Sequence, residues 1–151
     1  MDSAQNHAEL VRFLIAAKQH TYAGKGGETE SARPEAHDLA FRADDYLYLD
    51  TYLGGERFAG EEAVWLLEQP VYAMNYCGRV LHDSFSGDFL KAALYHVPED
   101  MPFRGPEWYQ EGDYLYHCSC EGDLDWFQGY EEIYREDTKV YECHFHGGSI
   151  R

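Results

Sequence analysis

The segment Phe58-Ala59-Gly60-Glu61-Glu62-Ala63-Val64-Trp65 occurs twice in this chain. It returns, altered, as Phe127-Gln128-Gly129-Tyr130-Glu131-Glu132-Ile133-Tyr134, 69 residues further on. At the same shift Val71-Tyr72, Tyr76 and Gly78 match Val140-Tyr141, Phe145 and Gly147. With one residue of slippage, Asp45-Tyr46-Leu47-Tyr48 returns unchanged as Asp113-Tyr114-Leu115-Tyr116; further back, at a longer shift, Arg33-Pro34-Glu35 is echoed by Arg104-Gly105-Pro106-Glu107. Self-similarity at a fixed shift is the mark of a duplicated structural unit. The chain is expected to be two divergent copies of one unit, about 8–80 and about 85–148, within a single domain of 1–151.

Periodicity suggests what the unit is. Leu10, Phe13, Leu14 and Ala17 fall at helical spacing, predicting a helix from Ala8 to near Lys18, with Asn6 as its cap after a frayed start over 1–7. Tyr22–Glu35 is rich in Gly, Ser and Pro and reads as a long loop. Its Gly24-Lys25-Gly26-Gly27 lacks the spacing of a phosphate cradle. Four strands follow, at His37–Arg42, Asp45–Leu53, Arg57–Leu67 and Val71–Cys77, antiparallel because their connections are so short. The order then repeats. A helix lies within Ser84–Val97, capped by Ser86 and striped by Leu90, Ala93, Leu94 and Val97. A proline loop runs over Pro98–Pro106, with a short strand at Glu107–Glu111. Strands at Tyr114–Cys120, Asp125–Tyr134 and Lys139–His146 follow, with turns at Glu121-Gly122-Asp123 and Arg135–Thr138. So small a unit buries its helix poorly alone. The expectation is an α+β fold in which two helix-plus-antiparallel-meander repeats share one continuous or paired antiparallel sheet, both helices on one face, about a pseudo-twofold axis.

Charge and composition limit the partners. The net charge is −16 for 151 residues, which repels phosphate backbones and anionic membranes and attracts cations. Aromatic residues make up 16% of the chain, with 13 tyrosines, and these suit both pleated strands and a pocket wall. No secretory signal or membrane-length apolar run is present. Four cysteines are too few for a secreted disulfide framework, so a cytoplasmic protein with free thiols is expected.

Period-two reading of the repeated strand puts Phe58, Gly60, Glu62 and Val64 on one face, and Phe127, Gly129, Glu131 and Ile133 on one face of the second copy. Glu62 and Glu131 thus share the apolar side, where a carboxylate needs a counter-charge or tyrosine hydroxyls to offset its desolvation. Around them Tyr48, Trp65, Tyr76, Tyr116, Tyr134 and Phe145 are candidate walls of a groove between the halves, able to add cation–π contacts. The competing expectation is that the glycine bulges the strand, or that the glutamates lie at a sheet edge and point to water.

Two other chemistries are open. Cys118, Cys120, His144 and His146 could form a soft-ligand cluster for zinc if their strands are neighbours, although the spacing is not that of a structural zinc site and the first copy carries Asp50 and Tyr52 opposite Cys118 and Cys120. A Cys118–His144 or Cys118–His146 nucleophile pair is conceivable, without any elbow motif to support it. The adjacent acids Asp44-Asp45 and Glu61-Glu62 face opposite ways on a strand and form no dyad.

Several stretches are familiar together: Tyr22-Ala-Gly-Lys-Gly-Gly-Glu28, Thr51-Tyr-Leu-Gly-Gly-Glu-Arg-Phe-Ala-Gly-Glu-Glu-Ala-Val-Trp65, Asn75-Tyr-Cys-Gly-Arg79, Phe85-Ser-Gly-Asp-Phe-Leu-Lys91, Trp126–Glu132 and Phe145–Ile150. With them the chain resembles a bacterial domain family of unknown function that covers almost its whole length. The resemblance implies a domain found alone or behind an Xre-type helix-turn-helix, which this sequence does not show, so DNA binding is not carried over. The duplicated helix-plus-strand units are also similar to GyrI-like effector domains, which implies a groove for amphipathic cations.

The expected function is therefore a small-molecule-binding, sensor-like domain with an acidic, aromatic-lined groove. It would need no cofactor, and its partner would be a cationic or amphipathic ligand rather than nucleic acid or membrane, bound by a monomer or homodimer. The alternatives are a hydrolase-type enzyme using a glutamate with His117, His144 or His146, with or without zinc, and a protein–protein interaction module.

Overall fold

The computed structural model describes residues 3–151. Among the described residues the chain forms two helices and one eight-stranded antiparallel sheet. Helix α1 spans Ser3–His20 and is followed by β1 (His37–Ala43), β2 (Tyr46–Gly54), β3 (Arg57–Leu66) and β4 (Gln69–Val80). Helix α2 (Gly87–Tyr95) leads into β5 (Trp108–Glu111), β6 (Tyr114–Asp123), β7 (Trp126–Arg135) and β8 (Thr138–Ser149). The spatial order is β1-β2-β3-β4-β8-β7-β6-β5, so each meander runs inward and the last strands of the two meet in the middle.

Tight turns set the registers. Leu67 and Glu68 both take positive φ, 49° and 67°, the geometry of a type I′ hairpin turn between β3 and β4. That turn leaves Gln69-Pro70 to open β4, ahead of the expected start at Val71. Glu121, Gly122 and Asp123 also lie within a strand rather than a turn. β6 continues to Asp123 and Gly122 absorbs a φ of 97°, a conformation open to glycine. β4 and β8 run longer than the periodicity suggested, because pairing with each other from Tyr72↔Ser149 to Val80↔Tyr141 extends both. The expected frayed start is helical over 3–7, which places Asn6 inside α1 rather than at its cap; residues 1 and 2 lie outside the described residues.

Both helices pack on one face of the sheet. Phe13 of α1 stacks on Phe41 and Tyr46, and Phe89 of α2 stacks on Tyr114. Ser86 caps α2 by accepting from the Phe89 amide. Beneath the helices, pairing registers line up an aromatic inner face in which Tyr48, Val64 and Tyr72 adjoin across β2, β3 and β4, and Tyr116, Ile133 and Tyr141 adjoin across β6, β7 and β8. All six are essentially fully buried. No helix among the described residues is long and apolar enough to cross a membrane.

Candidate functional site

The inner face of α1 carries an ion. Leu14, Ala17 and Lys18 fall on its buried side, so Lys18 continues the apolar stripe by one more i+4 step. Its ammonium donates to Glu62 on β3 and to the Phe103 carbonyl at 2.7 Å. Glu62 is thereby neutralised where it lies. Tyr48, alongside, has its hydroxyl held well above the ordinary phenol range, first by burial and then by the Glu62 carboxylate.

Glu131 on β7 is fully enclosed. Arg104, from the proline loop after α2, donates to its Oε1 through Nη2 at 2.5 Å and Nε at 3.1 Å. Tyr141 donates to Oε1 at 2.7 Å and Tyr116 to Oε2 at 2.5 Å. Burial opposes the Arg104 charge, but Glu131 outweighs it and holds the guanidinium well above its ordinary pKa. The same guanidinium lies 5.2 Å from the ring centroid of Tyr76, within cation–π reach. With a counter-charge and four donor contacts, this carboxylate has the satisfaction that a buried ion requires.

Between these two pairs, the helices and the sheet line a cavity of about 190 Å³ that is partly open to solvent. Its walls are aromatic on the sheet side, with Tyr48, Tyr52, Phe58 and Tyr76, and aliphatic on the α2 side, with Leu90 and Leu94. Lys18, Glu62 and Arg104 reach its surface, and so does Asp50 on β2. Asp50 is only 4% exposed. Its single hydrogen bond among the described residues comes from the Tyr76 hydroxyl, at 2.5 Å to Oδ1. Desolvation, followed by the neighbouring Glu62 carboxylate, pushes its carboxyl up to about 7, although Tyr76, Lys18 and Arg104 pull the other way.

The sequence-derived candidates divide into three groups. Glu62, Tyr48 and Tyr76 line the cavity. Glu131, Tyr116 and Phe145 are on the same face of the sheet but are packed in the core beyond it. Trp65 and Tyr134 are on the opposite face, paired with Leu47 and Leu115 beside register shifts in β3 and β7, and turned away from the helices. Lys18, Asp50 and Arg104 were not among the candidates. Lys18 could have been found from its helical phase. Asp50 could have been found from its place between Tyr48 and Tyr52 on the inward face. Arg104 sits in an irregular loop whose path no periodicity encodes.

The soft-ligand cluster does not assemble. β7 separates β6 from β8, so the two pairs are not on neighbouring strands. Cys118 faces the helices, in register with Glu131, whereas His144 and His146 are exposed on the other face. Among the described residues no group of three or more His, Cys, Asp and Glu side chains is placed to hold a metal ion. The same geometry parts Cys118 from both histidines, and burial pushes its thiol up to about 12, far from a reactive thiolate. His117 packs at a tilt against Trp108 with ring centroids 4.0 Å apart and lies 3.7 Å from Glu132, on the face away from Glu131.

Residues 50–150 match a family model described as a domain of unknown function, DUF5680. No curated protein and no solved structure matches the chain.

Proposed function

This chain belongs to the DUF5680 family, whose description assigns no chemistry, and we infer its function from the cavity: a small-molecule-binding, sensor-like domain whose ligand seats between the helices and the first meander. The observation that carries this is Asp50, a buried acid with a free carboxylate oxygen, set in an aromatic-walled cavity without a dedicated counter-ion. Such a group costs stability. Its second oxygen faces the cavity, where a ligand donor can complete its bonding.

The duplication supports the choice of Asp50 over the two glutamates. We read the two meanders as copies about a pseudo-twofold axis at the β4–β8 pairing, where Tyr76 lies opposite Phe145, its own counterpart at the 69-residue shift. Glu62 and Glu131 are counterparts too, and each is neutralised by a buried cation, Lys18 or Arg104. What both copies retain is what each copy uses to fold. The copies differ at Asp50 against Cys118, Tyr52 against Cys120, and Tyr76 against Phe145. In the second copy Phe127, the counterpart of Phe58, is covered by Phe103, with ring centroids 3.7 Å apart. Recognition is assigned to the half in which the symmetry is broken. The free cysteines are in keeping with a reducing, cytoplasmic setting.

Amide chemical shifts of the labelled protein, followed during titration with single-ring probes such as phenol and n-propylbenzene, test this proposal. Saturable shifts centred on Tyr48, Asp50, Tyr76 and Leu94 are expected, and Ala23→Phe, which puts a ring into the cavity, should abolish them. No saturable shift for any probe, or shifts centred elsewhere, would overturn it.

A further inference from the structure

Charge bookkeeping around the cavity narrows the ligand. Two buried cations, Lys18 and Arg104, face three buried acids, Asp50, Glu62 and Glu131. Each cation is committed to a glutamate through a direct ion pair. When every group is ionised, one negative charge is left over, and it is on Asp50. Lys18 and Arg104 influence it only through space, since neither hydrogen-bonds to it. The structure offers two ways to settle that charge, a proton on Asp50 or a cation in the cavity.

Size narrows it further. An apolar cavity of about 150 Å³ takes up a benzene ring, and this one is about 190 Å³. That volume matches one ring with a short arm. Phe58 and Tyr76 present ring surface beside Asp50, while Leu90 and Leu94 supply an apolar roof. An ammonium has donors only, and Asp50 offers an acceptor oxygen with no donor among the described residues.

We propose that the ligand class is a small monocationic amine bearing a single ring, its ammonium held by Asp50 and its ring seated among Phe58, Tyr76, Leu90 and Leu94. This rests on the cavity being the binding site. Tyr76 fixes the carboxylate by donating to Oδ1, which leaves Oδ2 for the amine. The amine takes the place of a proton, so binding is linked to pH. The groups facing Asp50 are Glu62 on β3, Tyr76 on β4, Lys18 on α1 and Arg104 in the loop after α2, with the Tyr22, Tyr48 and Tyr52 phenols nearby. As the amine docks, Asp50 exchanges its proton for the ligand. Affinity is therefore expected to rise with pH through neutrality and to level off while the amine stays protonated.

Three probes separate the possibilities: 2-phenylethylamine, n-propylbenzene of the same shape without charge, and 3-phenylpropanoate of opposite charge. Calorimetric or chemical-shift titration at pH 8 is expected to show the amine binding at least ten-fold more tightly than the hydrocarbon, and the carboxylate not binding. The amine's preference should shrink at pH 6. In Asp50→Asn, and in Asp50→Cys, which installs the residue found at the corresponding position of the second meander, the hydrocarbon should bind as before and the amine preference should vanish. Hydrocarbon binding without any amine preference in the parent, or a preference that survives both variants, overturns the ligand class while leaving the cavity as a binding site. Failure of both the amine and the hydrocarbon to bind the parent overturns the site and the class together.

Discussion

Asp50 and Glu62 are register partners on β2 and β3, yet Lys18 neutralises only Glu62. Two acids side by side on the inner face of the sheet thus have different fates. One is built into the core by an ion pair. The other keeps a free oxygen at a cavity wall and draws a single bond from Tyr76.

The first prediction contrasts structural and recognition carboxylates. Glu131→Gln leaves Arg104 buried without its partner and is expected to cost about 3–5 kcal/mol, as breaking one side of a buried pair does. Asp50→Asn removes the charge that has no counter-ion and keeps the side-chain shape. At pH 8 it is expected to be at least as stable as the parent. Urea unfolding of both variants at that pH measures the difference, and equal losses would contradict the division of roles.

The second prediction concerns pH. The Asp50 carboxyl is raised to about 7 in the folded chain from an ordinary value of 3.8, chiefly by burial. Between those values the folded state binds the proton and the unfolded state has lost it. Stability therefore falls as pH rises from about 4 to about 7, and the full penalty is present above that. The penalty is on the order of 4 kcal/mol at its upper limit. Denaturant midpoints followed across this range should decline for the parent relative to Asp50→Asn, with the two curves parallel above pH 8.

Much of this architecture could be read from the chain itself. The alternation in Phe58–Val64 and Phe127–Ile133 assigned the inner face correctly, because one buried face leaves a period-two record that tolerates little slippage. The short connections fixed antiparallel pairing. The strand ends were less legible, since β4 and β8 lengthen only by pairing with each other across the whole chain. The site was half legible. Glu62, Tyr48 and Tyr76 stood out through their pattern, but a counter-ion reaching from a helix or an irregular loop, as Lys18 and Arg104 do, leaves no local signature. Repetition also drew attention to Glu62 and Glu131, whereas the acid with a free oxygen at the cavity is Asp50, which stands opposite Cys118 in the sequence comparison of the two halves.

A third prediction tests the packed half. A Cβ added at Gly129 would run into the ring of Phe145, which packs at a tilt against Phe127. Gly129→Ala is expected to cost about 1–3 kcal/mol through overpacking. Phe145→Leu removes the colliding edge, so the double variant should lose less than the sum of the two single losses, with a coupling of about 0.5–3 kcal/mol. Strict additivity in urea unfolding would show that the ring is free to move aside.

The most direct test of the whole account is the titration of the Asp50 carboxyl carbon itself, observed by carbon-13 resonance in the free protein and again with saturating 2-phenylethylamine. The free carboxyl is predicted to titrate at about 7 and to move to lower pH when the amine is bound. An inflection in the ordinary carboxylate range near 4 in the free protein would mean that Asp50 is already compensated or solvated, and would contradict its assignment as the unpaired acid of the site.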